Sequence, residues 1–443
     1  MLSKDMLEHK LTNLINNNPL LIKLIDLLKD FSKIYLVGGI IRDIALEKIA
    51  LDIDLCTSLN INEVSKILEK SFKIIDTGIK HGTITAIFDH VHAEITEFRG
   101  EKNSLESDLS LRDFTINAIA FDIVEKKLID PFHGLDDLKN NILRCTIDPN
   151  IVFNDDPLRM VRAFRFSYAE NRNLDENIIK ALKTNFDKIK TVSIERIKDE
   201  LSKILVFENP SLVFKKLVEF NFLDTLFPEI TPMVNCAQNK YHVHDVFNHT
   251  LDVLENTPPI LETRLAALLH DIGKPHTISV DSDGERHFYG HEKESVKIAK
   301  KFLERLCFPN KTINTVLNVV NLHMRDLEAK GAGIRRLIRE LGDDFNVWLM
   351  LVKADRPPKM PKSEFEKRLN NFLKNYNFEI EEQKRKDFFK LKITGEDIMK
   401  ILNLKPSKEV GEIKNMLQEL IIEDPSKNDR EFLINYIKET FIN

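Results

Sequence analysis

Residues 34–57, IYLVGGIIRDIALEKIALDIDLCT, decide the fold class of this chain. Ile34 to Val37 is a short apolar run ending at Gly38-Gly39, which reads as a buried strand stopping at a tight turn. IIRDIALEK then follows with helical periodicity, so the segment predicts a strand-turn-helix corner. Paired glycines let a backbone approach a phosphate closely, and the helix start beyond them offers free N–H groups to an anion, with Arg42 one turn in to add positive charge. Taken alone, such a turn is an ordinary structural feature. In LDIDLCT, however, Asp52 and Asp54 stand at i and i+2, so on a strand both carboxylates face one side while Ile53 turns into the core. Two anions held side by side call for cations. Oxygen ligands of this kind suit Mg²⁺, and a pair of ions activates an attacking hydroxyl and stabilises a leaving phosphate oxygen. An isolated Asp-x-Asp is more often a solvated strand end, so the spacing of the whole segment carries the argument.

Working outward, residues 34–145 alternate short apolar runs (IYLVGG, LDIDLCT, ITAIFD, AEITEF, INAIAFDIV) with polar turns and helical stretches, the pattern of a mixed α/β unit. Upstream, Met1 to Lys33 reads as one amphipathic helix capping the fold. From Asp155 onward the period is helical almost to the end, as in PLRMVRAFRFSYAE and IERIKDELSKIL. The expected class is α+β: a small mixed α/β head followed by all-α neck, histidine-rich and tail domains. A break at Asn235–Tyr241 and the proline-rich DRPPKMPKSE (355–364) set the expected boundaries at 1–145, 146–238, 239–357 and 358–443. The last of these is Lys/Glu-rich, either a grip on a polyanionic partner or a solvated helical bundle.

At 443 residues, two to four domains are expected. The formal net charge of −5 argues against a uniformly basic nucleic-acid binder, so any RNA contact must come from local basic faces. Cys56, Cys145, Cys236 and Cys307 lie far apart without a CxxC pair, which supplies neither a zinc spacing nor a disulfide framework and fits a reducing cytoplasm. No apolar run is long enough to cross a bilayer, and the expectation is a soluble monomer or homodimer without membrane contact.

Two further constellations carry chemistry. Asn154-Asp155-Asp156-Pro157 reads as a helix N-terminus with Asn154 as cap and acids in the first turn. Arg159, Arg162 and Arg165 then recur every three residues as one basic stripe, a pattern that on spacing alone is usually a solvated or salt-bridged face. Separately, eight of the 13 histidines fall between His242 and His323. Such clustering needs a cause.

The spacing GG-x2-RD-x8-D-x-D, read as Gly38, Gly39, Arg42, Asp43, Asp52 and Asp54, resembles the nucleotidyltransferase superfamily of DNA polymerase β type. Downstream, LRDFTINA (111–118), DPFHGLDDLKNNILR (130–144), DDPLRMVRAFRF (155–166) and IERIKDEL (194–201) look, in that order, like the successive motifs of class II CCA-adding enzymes and bacterial poly(A) polymerases. The likeness covers roughly residues 30–235. It implies transfer of nucleotides from CTP and ATP onto the 3′-hydroxyl of tRNA with release of pyrophosphate, Mg²⁺ at Asp52 and Asp54, and nucleotide contacts from Gly38, Gly39, Arg42, Asp43, Arg112, Asp113 and Asn117. It also assigns Asp156 and Arg159 to the Watson–Crick edge, where a carboxylate accepts from the exocyclic amine of C or A and a guanidinium donates to a ring acceptor. Arg162 and Arg165 are left to steady the phosphates or the helix itself. Glu94 is the candidate third carboxylate, because such heads often place one on a neighbouring strand, with Glu97 close by. His81-Gly82-Thr83 looks like the flexible loop of these enzymes. Three positions depart from the pattern: Leu111 replaces the usual first arginine, Asp155 the usual glutamate, and Leu51 a polar residue before the Asp-x-Asp.

His249, then His270-Asp271, then Asp355 resemble the HD superfamily, in which ligands from separate helices converge on a divalent metal. His291 and His323 match positions for a second ion. Imidazole and carboxylate suit a divalent transition metal, and a bound water there becomes a nucleophile near neutral pH. The leading expectation is a CCA-adding enzyme. The alternatives are an A-adding enzyme or poly(A) polymerase, an HD phosphohydrolase whose head only binds RNA, and a non-catalytic RNA-binding protein, for which the intact carboxylates and modest charge are unfavourable.

Overall fold

The computed structural model describes every residue except 51, 79–81, 101–102, 239–243, 357–359, 387–389 and 443, and the side chains of 77–78 and 384–386. The chain divides into two compact units, Met1–Leu226 and Phe227–Asn443.

The first unit opens with α1 (Lys4–Asn17) and α2 (Pro19–Leu28), then β1 (Ile34–Val37), α3 (Gly39–Ala45), β2 (Ile53–Thr57), α4 (Ile61–Leu68), β3 (Lys73–Gly78), β4 (Thr83–Phe88) and β5 (Val91–Glu97). It continues with α5 (Leu105–Ser110), β6 (Ala120–Asp122), β7 (Lys127–Ile129), α6 (Gly134–Lys139) and β8 (Ile142–Leu143). Helices α7 (Pro149–Asp155) and α8 (Leu158–Phe164), strand β9 (Asn173–Leu174), and helices α9 (Glu176–Asn185), α10 (Ile194–Leu205), α11 (Pro210–Glu219) and α12 (Leu223–Leu226) complete it. Seven strands form one sheet in the order β3-β4-β5-β2-β1-β6-β7. All its pairs are antiparallel except β2 with β5, which run parallel with Asp54 opposite Glu94. One sheet face buries Tyr35, Val37 and Cys56 against Leu109 of α5 and Ala118. Helix α4, started by the Asn60 side chain accepting from the Asn62 N–H, packs on β4 and β5.

Three sequence expectations are corrected here. The N-terminal helix is two helices: Pro19 has no N–H to continue α1, and the Asn18 side chain accepts from the Leu20 and Leu21 N–H groups to start α2. Asn154 is not a cap. Asp148 caps the earlier α7, which runs through Asn154 and Asp155 and stops at Asp156, because the residue before a proline is driven out of the helical region. The stripe helix is α-helical only to Phe164, and Arg165–Ala169 form a wider π turn. The helical part also holds two short sheets, β8 parallel to β9 and a hairpin in the second unit.

The second unit contains α13 (Val246–Asn256), α14 (Leu261–Leu269), the hairpin β10 (Ser279–Val280) and β11 (Arg286–His287), α15 (His291–Arg305), α16 (Asn310–Leu322), α17 (Ala332–Leu341), α18 (Phe345–Ala354) and α19 (Lys362–Lys386). It ends with α20 (Gly395–Leu402), α21 (Lys408–Glu423) and α22 (Arg430–Phe441), which pack around their own core of Ile398, Leu417, Ile421, Leu433 and Ile437. Among the described residues, no helix is long and apolar enough to cross a membrane.

Candidate active site and metal centre

The corner read from residues 34–57 is present. Gly38 adopts φ +78°, in the region that favours glycine, and a Cβ there would stand 3.1 Å from Arg112 Nη1 and 3.5 Å from Asp54 Oδ2. The turn is thus both strained for any other residue and filled by site groups. Asp52 and Asp54 flank buried Ile53. They line, with Glu94, one wall of a cavity of about 740 Å³ in the first unit. Burial pushes the Asp54 carboxyl up to about 6; repulsion from Glu94 and Asp52 adds to the rise, and Arg112 opposes it. A carboxylate held against other carboxylates in this way fits a cation. The three are not among the groups whose ligand atoms all lie within 4.8 Å of one another.

Glu97 lies elsewhere: its Oε2 accepts from Asn60 Nδ2 (3.1 Å) and the Ile61 N–H (3.0 Å) at the start of α4. Of the residues to which the nucleotidyltransferase resemblance gives a metal, nucleotide or base contact, all but Asp43 line the cavity. Asp43 instead accepts from Arg42 Nε at 2.9 Å, while Arg42 Nη1 donates to Asn117 Oδ1 at 2.6 Å. Gly82, at φ +73°, precedes β4; His81 and Leu51 lie outside the described residues. The Leu111 side chain does not line the cavity, but its carbonyl accepts from Arg159 Nη2 at 2.9 Å.

The arginine stripe is tied down unevenly. Arg162 donates to Asp113 Oδ2 (2.7 Å) and lies 3.4 Å from Glu200 Oε1; Arg165 is buried against Glu200 (2.7 Å) and Glu170 (3.3 Å). Both lie over the Phe166 ring, at 5.4 and 4.0 Å. Burial would raise the Asp113 carboxyl, but Arg162, Asn117 and the Phe114 N–H outweigh it and hold it below its ordinary value. The Arg159 guanidinium lies 3.1 Å from Asp155 and its contacts do not include the Asp156 carboxylate, although the Arg159 backbone N–H donates to the Asp156 carbonyl at 3.1 Å. Sequence reasoning missed four groups. Arg99, Arg196 and Lys203 line the cavity, and fully buried Asp108 holds both Arg99 and Arg112. Arg196 lay within the quoted IERIKDEL, and the i,i+4 spacing of Asp108 and Arg112 was readable.

In the second unit, six predicted ligands come from five helices or their ends. His249 is on α13, His270-Asp271 follow α14, His291 starts α15, His323 follows α16 and Asp355 follows α18. His249, His270 and Asp355 form one group with ligand atoms within 4.8 Å of one another, and Asp271, His291 and His323 form another. Asp271 faces both: its Oδ2 lies 3.5 Å from His249 and 3.2 Å from His270, its Oδ1 3.3 Å from His291 and 3.7 Å from His323. The Nδ1–H groups of His270, His291 and His323 donate to the carbonyls of Ala267, Phe288 and Val320 at 2.8, 2.8 and 2.7 Å, which turns each Nε2 inward. Buried His270 Nε2 lacks hydrogen-bond geometry to any partner, Asp271 included. This donor set fits divalent metal. Without an ion, burial opposes charge on His270, but Asp271 and Asp355 outweigh it and raise the imidazole to about 9, while Lys274 Nζ sits 2.7 Å from Asp271.

A mixed α/β head with clustered carboxylates, an arginine-rich wall, and a separate helical His/Asp centre define a nucleotidyltransferase coupled to an HD-type domain. Residues 34–144 match the poly A polymerase head domain, 173–234 the family described as "Probable RNA and SrmB- binding site of polymerase A", and 244–365 the HD domain. The chain is 30% identical over 420 residues to a CCA-adding enzyme of Ligilactobacillus salivarius, covering 91% of this chain and 92% of that one. It belongs to the CCA-adding enzyme family. It is also 32% identical to an A-adding tRNA nucleotidyltransferase of Deinococcus radiodurans, over 71% of this chain and 75% of the relative. Its fold matches the Bacillus stearothermophilus CCA-adding enzyme crystallised with CTP at a TM-score of 0.68 and 22% identity, over 94% of this chain and 96% of that one.

Proposed function

We propose that this chain builds or repairs the 3′-terminal CCA of tRNA. The RNA 3′-hydroxyl oxygen attacks the α-phosphate of CTP or ATP, the bond to the β-phosphate breaks, and pyrophosphate leaves. The observation that carries this reading is the parallel register of Asp54 with Glu94, beside Asp52, on the wall of a cavity otherwise rich in arginine. Asp52, Asp54 and Glu94 are the groups that would hold Mg²⁺, which when bound supplies charge to activate the hydroxyl and stabilise the leaving oxygen. Gly38 and Gly39 let the backbone approach the triphosphate, and Arg42 and Arg112 offset its charge, with Asn117 and Asp113 fixing Arg42 and Arg162. Asp156 accepts from the exocyclic amine of cytosine or adenine, and Arg159 donates to the ring acceptor. The division into head, neck, HD and tail at 1–145, 146–238, 239–357 and 358–443 belongs to the same reading, with the tail offered to the tRNA body and the protein working in the cytoplasm as a monomer or homodimer.

The test supplies purified protein and Mg²⁺ with three tRNA transcripts ending before CCA, after C and after CC, giving CTP and ATP separately and together, with Asp52→Ala/Asp54→Ala as control. Ordered addition of C, C and A that stops there and vanishes in the control is expected. The A-adding relative supports a second outcome, addition of A to CC-ending RNA only, and products halting at CC would restrict the activity the other way. The His/Asp centre supports phosphoester hydrolysis by a divalent transition metal as a separate activity. Hydrolysis with no addition to any transcript would make that centre the working part and the head an RNA-binding module.

A further inference from the structure

The carboxylate that this reading assigns to the base is already occupied. Asp156 sits in the link between α7 and α8, in extended backbone, with Oδ1 accepting from the Leu158 N–H at 3.2 Å. Across the same cavity, Arg196 on α10 places a two-pronged fork on it: Nη1 donates to Oδ1 at 3.1 Å and Nη2 to Oδ2 at 2.7 Å. Both residues line the cavity, and the Arg196 side chain is half exposed. The Arg159 side chain has separate anchors, the Leu111 and Val152 carbonyls and Asp155, so its place does not depend on the Asp156 carboxylate.

A carboxylate offers about four lone-pair sites, and three are taken here. The fork presents N–H donors of the kind that a cytosine or adenine amine would present. We infer that Arg196 stands in for the exocyclic amine of the nucleotide while the base site is empty, and that an amine-bearing base must displace it to reach Asp156. A base with a keto oxygen at that position offers an acceptor to an acceptor and cannot make the exchange. Arg196 is then a specificity residue acting through Asp156: it occupies the carboxylate while the base site is empty and yields only to a donor.

The inference rests on Asp156 reading the base, and the experiment separates the two. Equilibrium dissociation constants for CTP and for UTP are measured on the full-length protein without RNA, for wild type, Arg196→Met, Arg196→Lys, Asp156→Asn and the Asp156→Asn/Arg196→Met double variant. Methionine keeps an apolar stem of similar length. Removing the fork is expected to tighten CTP by up to about fivefold, the equilibrium equivalent of an exposed ion pair, while UTP, which has no use for Asp156, stays put. Lysine, with a single-point charge instead of a fork, is expected to restore part of the wild-type value. In the Asp156→Asn background, Arg196→Met is expected to change nothing further for CTP. A gain of affinity confined to CTP is not an effect that loss of structure produces. If Arg196→Met weakens CTP or leaves it unchanged while Asp156→Asn weakens it, the stand-in role is overturned and the base-reading role survives. If Asp156→Asn leaves CTP and UTP affinities unaltered, the base-reading assignment itself fails.

Discussion

Replacing Asp108 by asparagine tests how the head holds its cations. The carboxylate is fully buried and receives four hydrogen bonds: Arg99 backbone N–H at 3.3 Å and Nε at 2.8 Å, and Arg112 Nε at 3.3 Å and Nη2 at 3.1 Å. Burial alone would raise its pKa; the two guanidiniums outweigh that and hold it below the ordinary carboxylate range. An amide of the same shape removes the charge and turns a donor toward a guanidinium. Hydrogen bonds to charged groups contribute about 1.5–3 kcal/mol. Arg99, whose side chain is 42% exposed, regains water on release, so its share is discounted. The Arg112 side, only 15% exposed, carries a cost of about 2–3 kcal/mol. At about 2–4 °C per kcal/mol for a unit of this size, scanning calorimetry is expected to register a fall of about 4–12 °C in the transition of the first unit. The depressed pKa fixes the sign of the pH dependence. Stability from Asp108 is present above the unfolded value of about 4 and lost as pH falls through the lower folded value, so the gap between wild type and variant closes in acid. Function follows geometry: Arg112 Nη1 stands against Gly38, and misplacing such a group by about 1 Å costs about 10²-fold. With CTP as substrate, kcat/KM is expected to drop about 10–100-fold, chiefly through KM. A variant that melts within a degree of wild type with unchanged KM would refute the dependence of Arg112 on Asp108.

Two other outcomes are expected. Asp271→Ala, which removes the carboxylate facing both His/Asp groups, should lower bound transition metal, read by elemental analysis, further than His323→Ala, which touches one group; equal losses would contradict the shared role. Gly273→Ala puts a Cβ 2.4 Å from the Ser295 nitrogen and 2.5 Å from the His291 carbonyl oxygen. Neither backbone atom can yield cheaply, so a loss of about 2 kcal/mol or more, in the range of overpacked cores, is expected in urea unfolding together with reduced metal content, and wild-type values for both would show that α15 accommodates the methyl.

What could be read from the sequence was what is encoded within a few residues. The turn at Gly38-Gly39 and the inward Ile53 between two aspartates follow from local spacing, while the HD ligands rest on the resemblance of His249, His270-Asp271 and Asp355 to the HD superfamily, and the structure brings those ligands together. The choice of Glu94 over Glu97 depends on β5 lying parallel to β2, a pairing between strands far apart in sequence that leaves no local trace. Arg196 was hidden for the same reason: it looks like an exposed helical arginine, and its partner lies 40 residues away. Asp108 was overlooked because an aspartate in LESDLS looks solvated until its burial is known. By contrast, the break at Asn18-Pro19 was written in the sequence as a cap followed by a first-turn proline, and apolar periodicity on both sides masked it.

The pairing of Asp54 with Glu94 also bears on how durable the head is. A sheet that seats like charges side by side is working against its own cohesion; burial is the main cause of the raised Asp54 pKa, and repulsion from Glu94 and Asp52 adds to it. Anything that neutralises the patch relieves it, whether a bound cation, whose stabilisation grows with its concentration by mass action, or a substitution that removes a carboxylate. If this wall carries the chemistry as proposed, it sets tolerance to heat against activity, and a search for hardier variants of this chain that monitored only folding is expected to collect inactive ones.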